Sequence, residues 1–217
     1  FEQFIEQLER YVRDRLLPAE KEIIESDAIP DDILSEMRDM GLFGLTIPEE
    51  FGGAGMNVSQ YIKTIHTISY AMPAFRSIIS INIGMFASAL KNGGTEAQKA
   101  EWLPRIASGE ILPTAVFTEP DVGSDLGSLQ TRARREGDHW VIDGAKNWIT
   151  HAARSDLMTL LARTLPDAKG YAGLSMLLVP KPRGSEADPF PADGMTGSEI
   201  EVLGYRGMRE YALQFDA

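Results

Sequence analysis

The sequence predicts an α+β protein: an amino-terminal all-α domain, then an antiparallel β-domain built as a barrel or sandwich. Three observations carry this. Up to Gly109, apolar residues recur at spacings of three and four. After Gly109 the chain breaks into short strand-like runs separated by Gly, Pro and Asp. The two textures come in blocks and do not alternate, which argues against repeated β-α-β units. The predicted domains are 1–109 and 110–217, with the boundary near Glu110.

The first helix follows from Phe1, Phe4, Ile5, Leu8, Tyr11 or Val12, and Leu16, an apolar stripe opposite Glu, Gln and Arg. Pro18 is expected to end or bend it, since proline lacks the N–H that a helix interior needs. A second helix starts near Pro30 and stops at Gly41, a natural left-handed cap. Tyr61, Ile62, Ile65, Ile68 and Met72 give a third stripe. Residues 78–90 are apolar on nearly every side and read as the buried central helix. Thr95-Glu96-Ala97-Gln98 has the form of a capping box and opens a helix carrying Trp102 and Leu103.

The strand-like runs are ILPTAVFT (111–118), TRARRE (131–136), HWVID (139–143), DLMTLLART (156–164) and GLSMLLVP (173–180). Gly137-Asp138 and Asp143-Gly144 are hairpin-turn signals between them. Residues 182–198 read as a polar loop rich in Pro and Gly. ALQFDA (212–217) is still strand-like where the sequence stops, the mark of a fragment. Phe1 is not an initiator Met.

Composition narrows the function. With 21 Lys and Arg against 32 Asp and Glu, the net charge is −11. Nucleic acid and anionic membrane surfaces need a concentrated positive field, so neither is expected as a partner. The absence of Cys removes disulfides and thiolate metal sites, and His66, His139 and His151 lack carboxylate companions at ligand spacing, so no metal site is expected. No apolar run approaches the roughly 18 residues of a membrane span. Asn57-Val58-Ser59 matches a glycosylation sequon but reads as a helix start. GGAG (52–55) lacks the last glycine of a dinucleotide fingerprint and reads as a helix-connecting turn.

FTEPDVGSD (117–125) is chemically more specific. The Thr118 hydroxyl and the backbone amides of a strand end can bond the edge of a flat heterocycle. Pro120 fixes the turn, while Gly123 and Ser124 offer unhindered amides and a hydroxyl to a phosphate oxygen. A plain Pro/Gly turn stabilised by Asp side chains explains the stretch equally well on local chemistry. NWIT (147–150) bears on that balance. Trp148 and Thr150, two residues apart, would share one side of a strand, the indole covering a ring face and the hydroxyl bonding its edge. Taken alone, Trp148 fits an ordinary core position better.

Together these stretches resemble the acyl-CoA dehydrogenase family. Thr118–Asp125 matches its TEPxxGSD motif, and the Gly-Asp hairpin, DGAK (143–146) and W-I-T (148–150) follow in family order. MGLFGLTIPEEFGGAG (40–55) and GTEAQKAEWLPRIASGE (94–110) are similar to the family's amino-terminal helical domain, so the resemblance spans essentially the whole chain.

The resemblance implies FAD as cofactor. It maps the flavin-contacting strand onto Ala115–Ser124, including Phe117 and Gly123, with Thr118 on the pyrimidine edge of the ring. Ser124 would lie near the FAD phosphate and the pantetheine of the CoA ester, serving cofactor and substrate alike. Trp148 and Ile149 would lie at the flavin, with the indole on the face away from substrate, and Thr150 near the reactive ring nitrogen. It further implies α,β-desaturation of an acyl-CoA and an electron-transfer flavoprotein as acceptor. A homo-oligomer, tetramer or dimer, is expected, in the cytoplasm or in the mitochondrial matrix of a eukaryote. The catalytic carboxylate is expected beyond Ala217, in the family's carboxyl-terminal four-helix bundle, which is not in this chain.

Three departures stand out. Asp121-Val122 replaces the commoner Gly-Ala, and His151-Ala152 stands where Asn-Gly is frequent. In GYRGMREY (204–211), Met208 and Glu210 occupy positions where small hydroxyl residues are common. Two rivals share the motifs: an acyl-CoA oxidase on the same scaffold, and a non-catalytic flavin- or acyl-CoA-binding protein if the chain truly ends at 217.

Overall fold

The computed structural model describes residues 1–216. The chain forms two compact units, one of residues 1–111 and 202–208, the other of residues 112–201 and 209–217.

The helical unit begins with α1 (Glu2–Tyr11), which runs through a π-helical turn at Val12–Leu16 into α2 (Leu17–Ser26). Pro18 therefore does not end the first helix. The wider turn, in which Leu17 N–H bonds Val12 O, relieves the clash that a proline ring makes with the preceding α-helical turn. The helix stops at Asp27, whose backbone is left-handed (φ 53°). The Asp27 carboxylate accepts a hydrogen bond from Gly207 N (2.6 Å) and lies 3.2 Å from the Arg206 guanidinium, fixing the 202–208 loop in this unit.

Helix α3 (Asp31–Asp39) ends before Gly41, left-handed as expected at φ 68°. GGAG is indeed a helix-connecting turn: Ala54 N bonds Gly44 O (2.9 Å) and Met56 N bonds Leu45 O (2.8 Å). Asn57 caps α4 (Val58–Ile68) in a capping box with Gln60, and Thr95 does the same for α7 (Glu96–Ala107) with Gln98. The central helix runs as α5 (Pro73–Ser80), a π-helical stretch (Ile81–Ala87) and α6 (Ser88–Gly93). By length and composition Pro73–Gly93 could cross a membrane, but 61% of its apolar window is buried inside the protein, as in a core helix. Leu8, Leu16, Ile23, Phe43, Phe75 and Phe86 are fully buried, each worth about 1.5–3 kcal/mol of transfer free energy.

The second unit is a curled, mixed sheet of β1 (Pro113–Val116), β2 (Arg132–Glu136), β3 (His139–Thr150), β4 (Leu157–Arg163), β5 (Leu174–Pro180), β6 (Met195–Ile200) and β7 (Glu210–Phe215). Most pairings are antiparallel; β1–β4 is parallel, as is the single link between β2 and β4. The expected hairpin at Gly137-Asp138 is present, closing the pair Glu136↔His139 with Gly137 at φ 61°.

Asp143-Gly144 is not a turn, because β3 runs through it for 12 residues. Gly144 (φ 144°) serves close approach instead: a Cβ there would stand 2.7 Å from Thr131 Cα. The 182–198 stretch is not loop throughout either. Its end enters β6, which pairs with β7 from Met195↔Phe215 to Ile200↔Glu210. Only Met195 of β6 is buried, so the polar face of an edge strand hid it from a hydrophobicity reading. Strand β7 ends at Phe215, and the part of ALQFDA at Ala217 lies outside the described residues.

Candidate functional site

The strand end that carries the TEP motif is anchored from below by a buried ion pair. Lys146 on β3 is fully buried and donates to Phe117 O (2.8 Å), Leu161 O (2.8 Å) and Glu119 Oε1 (3.1 Å). Those three acceptors match the three donors of an ammonium. Glu119 also accepts from Gln130 N (2.6 Å) and Thr131 N (2.8 Å). Burial alone would push its carboxyl up; hydrogen bonds from Thr131 and Gln130, with the Lys146 charge, outweigh it and hold Glu119 below the usual carboxylate range. Burial, only partly offset by Glu119, draws Lys146 down.

The turn is closed by Glu119 N to Val122 O (2.8 Å) and Val122 N to Glu119 O (3.2 Å). Beyond that bridge Gly123 and Ser124 are exposed, with open space where a Cβ of residue 123 would lie. Asp125 takes the Ser128 hydroxyl and so stabilises the turn. Arg163 then gathers the following loops, donating to Gly127 O (2.8 Å) and Ala168 O (3.0 Å). A cleft of about 370 Å³ beside the turn is lined by Pro120, Val122, Gln130, Arg132 and Gly144 among others; it takes in the middle of the predicted flavin strand, Glu119 to Val122, but not Thr118, Ser124, Trp148 or Thr150.

Next to the TEP end, β3 is irregular. Lys146 pairs with Leu213 but Ile149 with Tyr211, so one extra residue is inserted at Asn147–Trp148. Trp148 adopts φ 59°, rare for a bulky side chain, and is 54% exposed. The bulge breaks strict alternation, so the two-residue spacing does not by itself put Trp148 and Thr150 on one side. It also takes Trp148 out of the core, where the plain reading of a tryptophan would have put it.

Ile149 is packed in the hydrophobic cluster with Val116, Met158 and Leu213, leaving only its main chain to offer a ligand. The two strand ends are tied together. Asn147 N bonds Thr118 O (2.9 Å), and the Thr114 hydroxyl donates to Thr150 O (2.7 Å).

Thr150 lies opposite Glu210 in the β3–β7 register, and its hydroxyl donates to Glu210 Oε1 (2.8 Å). Among the described residues the other Glu210 oxygen is buried without a partner, and burial, opposed by the Thr150 hydrogen bond, raises the carboxyl. His151 follows at φ 48°, fully enclosed, with neither ring nitrogen in a hydrogen bond of good geometry. Burial, then the Arg154 charge, holds its imidazole well below the usual value, and the Pro113 carbonyl opposes this weakly.

The fold thus brings Ala115, Phe117 and Thr118 alongside Trp148–Thr150, while Gly123 and Ser124 stand at the exposed tip of the turn. The arrangement fits a flat heterocycle with a polar edge and an anionic tail. It supplies a half-exposed indole held out of the core, threonines at two adjoining strand ends, and an open glycine-serine tip. Sequence reasoning passed over Lys146, Arg163 and the pairing of Glu210 with Thr150. For Lys146 a signal existed: it shares a strand face with Ile142 and Gly144, an unusual place for an unpaired cation.

Residues 1–110 match the acyl-CoA dehydrogenase N-terminal domain and residues 114–217 the acyl-CoA dehydrogenase middle domain. The chain belongs to the acyl-CoA dehydrogenase family, whose members are flavoprotein oxidoreductases of fatty acid metabolism. Among its relatives is a (2S)-methylsuccinyl-CoA dehydrogenase of Cereibacter sphaeroides, 52% identical over 97% of this chain and 38% of that protein.

Among solved structures, a glutaryl-CoA dehydrogenase from Mycobacterium smegmatis in complex with FADH2 matches with a TM-score of 0.84 at 30% identity, covering 99% of this chain and 52% of that one. A glutaryl-coenzyme A dehydrogenase–glutaryl-CoA complex matches with a TM-score of 0.88 at 28% identity, covering 99% and 53%. The chain therefore spans about half the length of these structures, and less of the Cereibacter relative.

Proposed function

We propose that this chain is the FAD-binding part of an enzyme that introduces a double bond α,β to the thioester of a short acyl-CoA and passes the electrons to an electron-transfer flavoprotein. It would work as a homo-oligomer, in the cytoplasm or in the mitochondrial matrix of a eukaryotic source. The observation that carries this reading is the exposed Trp148, set on a bulge beside Thr118 and Thr150. Burying a half-exposed indole is favourable, and a flat ring is the surface that matches it.

In this reading Trp148 covers one ring face, Thr118 and Thr150 meet the ring's polar edge, and the Gly123–Ser124 tip meets a phosphate. Bound FAD supplies the acceptor for a hydride from the β carbon. The Lys146–Glu119 pair holds the TEP end rigid. Glu119 itself is committed to Lys146, Gln130 and Thr131 and cannot act as the base. The carboxylate that removes the α proton lies beyond Ala217 in this proposal. The identity with the Cereibacter relative supports (2S)-methylsuccinyl-CoA, or a similar short carboxylated ester, as the first substrate to try.

The test is anaerobic mixing of FAD-loaded protein with a panel of CoA esters led by methylsuccinyl-CoA. The complete chain should bleach its flavin with at least one ester, and residues 1–217 alone with none. Bleaching by the segment at a comparable rate would overturn the placement of the base. Oxygen consumption outpacing dye reduction in the complete chain would favour the oxidase reading.

A further inference from the structure

The Thr150 hydroxyl has one proton to give. With Glu210 ionised, that proton is held by the carboxylate at 2.8 Å, and Thr150 can only accept a hydrogen bond from a ligand. With Glu210 protonated, the carboxyl donates to Thr150 and frees the threonine proton for a ligand's lone pair. Glu210 is over nine-tenths buried and, among the described residues, its second oxygen has no partner, so the Thr150 hydroxyl compensates its charge only in part.

The titratable and charged groups around Glu210 are few and mostly engaged. Arg209 and Tyr211 flank it on β7, and Arg209 pairs with Glu186 and Glu199. On β3, His151 follows Thr150 and is held neutral. On β6 the residue opposite is Ile200, with Glu199 next to it.

From this geometry we infer that Glu210 is a positioning residue that exchanges a proton in step with the redox state of the group bound at Thr150. This rests on the proposal that FAD binds here. If FAD binds here with its reactive nitrogen at Thr150, the oxidised ring would take a hydrogen bond from Thr150, which the protonated form of Glu210 leaves free to donate. In the reduced state, after hydride transfer from the substrate's β carbon or chemical reduction, the same position would carry an N–H facing Thr150. Thr150 must then accept. Its O–H would turn to donate to Glu210, which would give up its own proton to water and ionise. A small hydroxyl residue at position 210 would give no such exchange.

The experiment uses the complete FAD-loaded protein and follows the infrared carbonyl band of a protonated carboxylic acid during reductive titration with dithionite. The wild type should show one such band when oxidised and lose it on full reduction. Glu210→Gln and Glu210→Thr should show no redox-linked change in this band. The midpoint potential of the wild type should also vary less with pH than that of Glu210→Thr, because release of the Glu210 proton offsets proton uptake by the ring. A wild-type band that survives reduction, or identical pH slopes in wild type and Glu210→Thr, overturns the inference while leaving FAD binding intact. A complete chain that fails to hold FAD overturns the inference together with the proposed function.

Discussion

Lys146 Nζ and Glu119 Oε1 lie 3.1 Å apart with the lysine side chain fully buried and that of the glutamate 5% exposed. The pair joins the bulged strand to the strand end that carries the motif, and every remaining donor and acceptor around it is satisfied by the backbone. Breaking such a pair from one side strands a charge in a place that water cannot reach. Lys146→Met should therefore cost about 3–5 kcal/mol of folding stability, measured by urea unfolding of the complete protein. Lys146→Met combined with Glu119→Gln should recover part of that loss, since it removes the stranded charge, while the glutamine oxygen can accept only one of the two backbone amides that Glu119 holds. A single variant within about 1 kcal/mol of wild type would show that the pair is not a structural tie.

Trp148 should matter to the cofactor and not to the fold. Trp148→Ala removes a side chain that is 54% exposed and relaxes little of the core, so the unfolding midpoint should hold while FAD retention falls and the flavin absorption band shifts. Undiminished FAD occupancy with an unchanged spectrum would remove the indole from the site.

Ser124→Ala deletes one hydroxyl from an exposed tip that keeps its backbone donors. A loss of about 1–2 kcal/mol in FAD or ester affinity is expected, by equilibrium titration, with flavin reduction preserved at saturation. Abolished reduction at full occupancy would mean that Ser124 does more than hold its ligand.

Gly144→Ala separates close approach from turn formation. A turn glycine of permissive surroundings would accept a methyl group at small cost, whereas here the methyl meets the Thr131 backbone at 2.7 Å. Overpacking of about 1–3 kcal/mol is expected, seen as a lower melting midpoint. A neutral substitution would contradict the packing.

His151 gives a pH dependence. Its folded value is depressed, so between that value and about 6.5 the unfolded chain binds the extra proton and stability falls as pH falls. One proton amounts to at most about 1.4 kcal/mol per pH unit. Glu210, held high, acts with the opposite sign, and Glu119, held low, with the same sign at lower pH. The informative quantity is thus the difference between wild type and His151→Asn, because asparagine keeps the left-handed backbone but cannot titrate. In unfolding measured from pH 7.5 to 5, the difference between the two free energies should be constant at the alkaline end and move in favour of the variant toward acid. Parallel curves would show that the imidazole titrates normally in the folded protein.

What the sequence determined by itself is what local chemistry dictates. Apolar periodicity set the helices, the Asn57 and Thr95 capping boxes set two helix starts, and Gly137-Asp138 closed a hairpin. The motif residues Thr118, Ser124, Trp148 and Thr150 could be proposed from the sequence because each carries a functional group at a fixed distance along the chain. Only the tertiary structure decided the rest, for reasons that no local window contains. Pro18 is accommodated because the preceding turn widens, and Gly144 is required by Thr131, just ahead of the neighbouring strand. β6 exists because β7 offers it an edge, not because its own residues are apolar. Lys146 is a tie and not a surface charge because Glu119, from a distant part of the chain, comes to meet it. Glu210 acquires its partner only when β7 lies against β3, since hydrogen bonding between strands depends on register, and register is a property of the folded sheet.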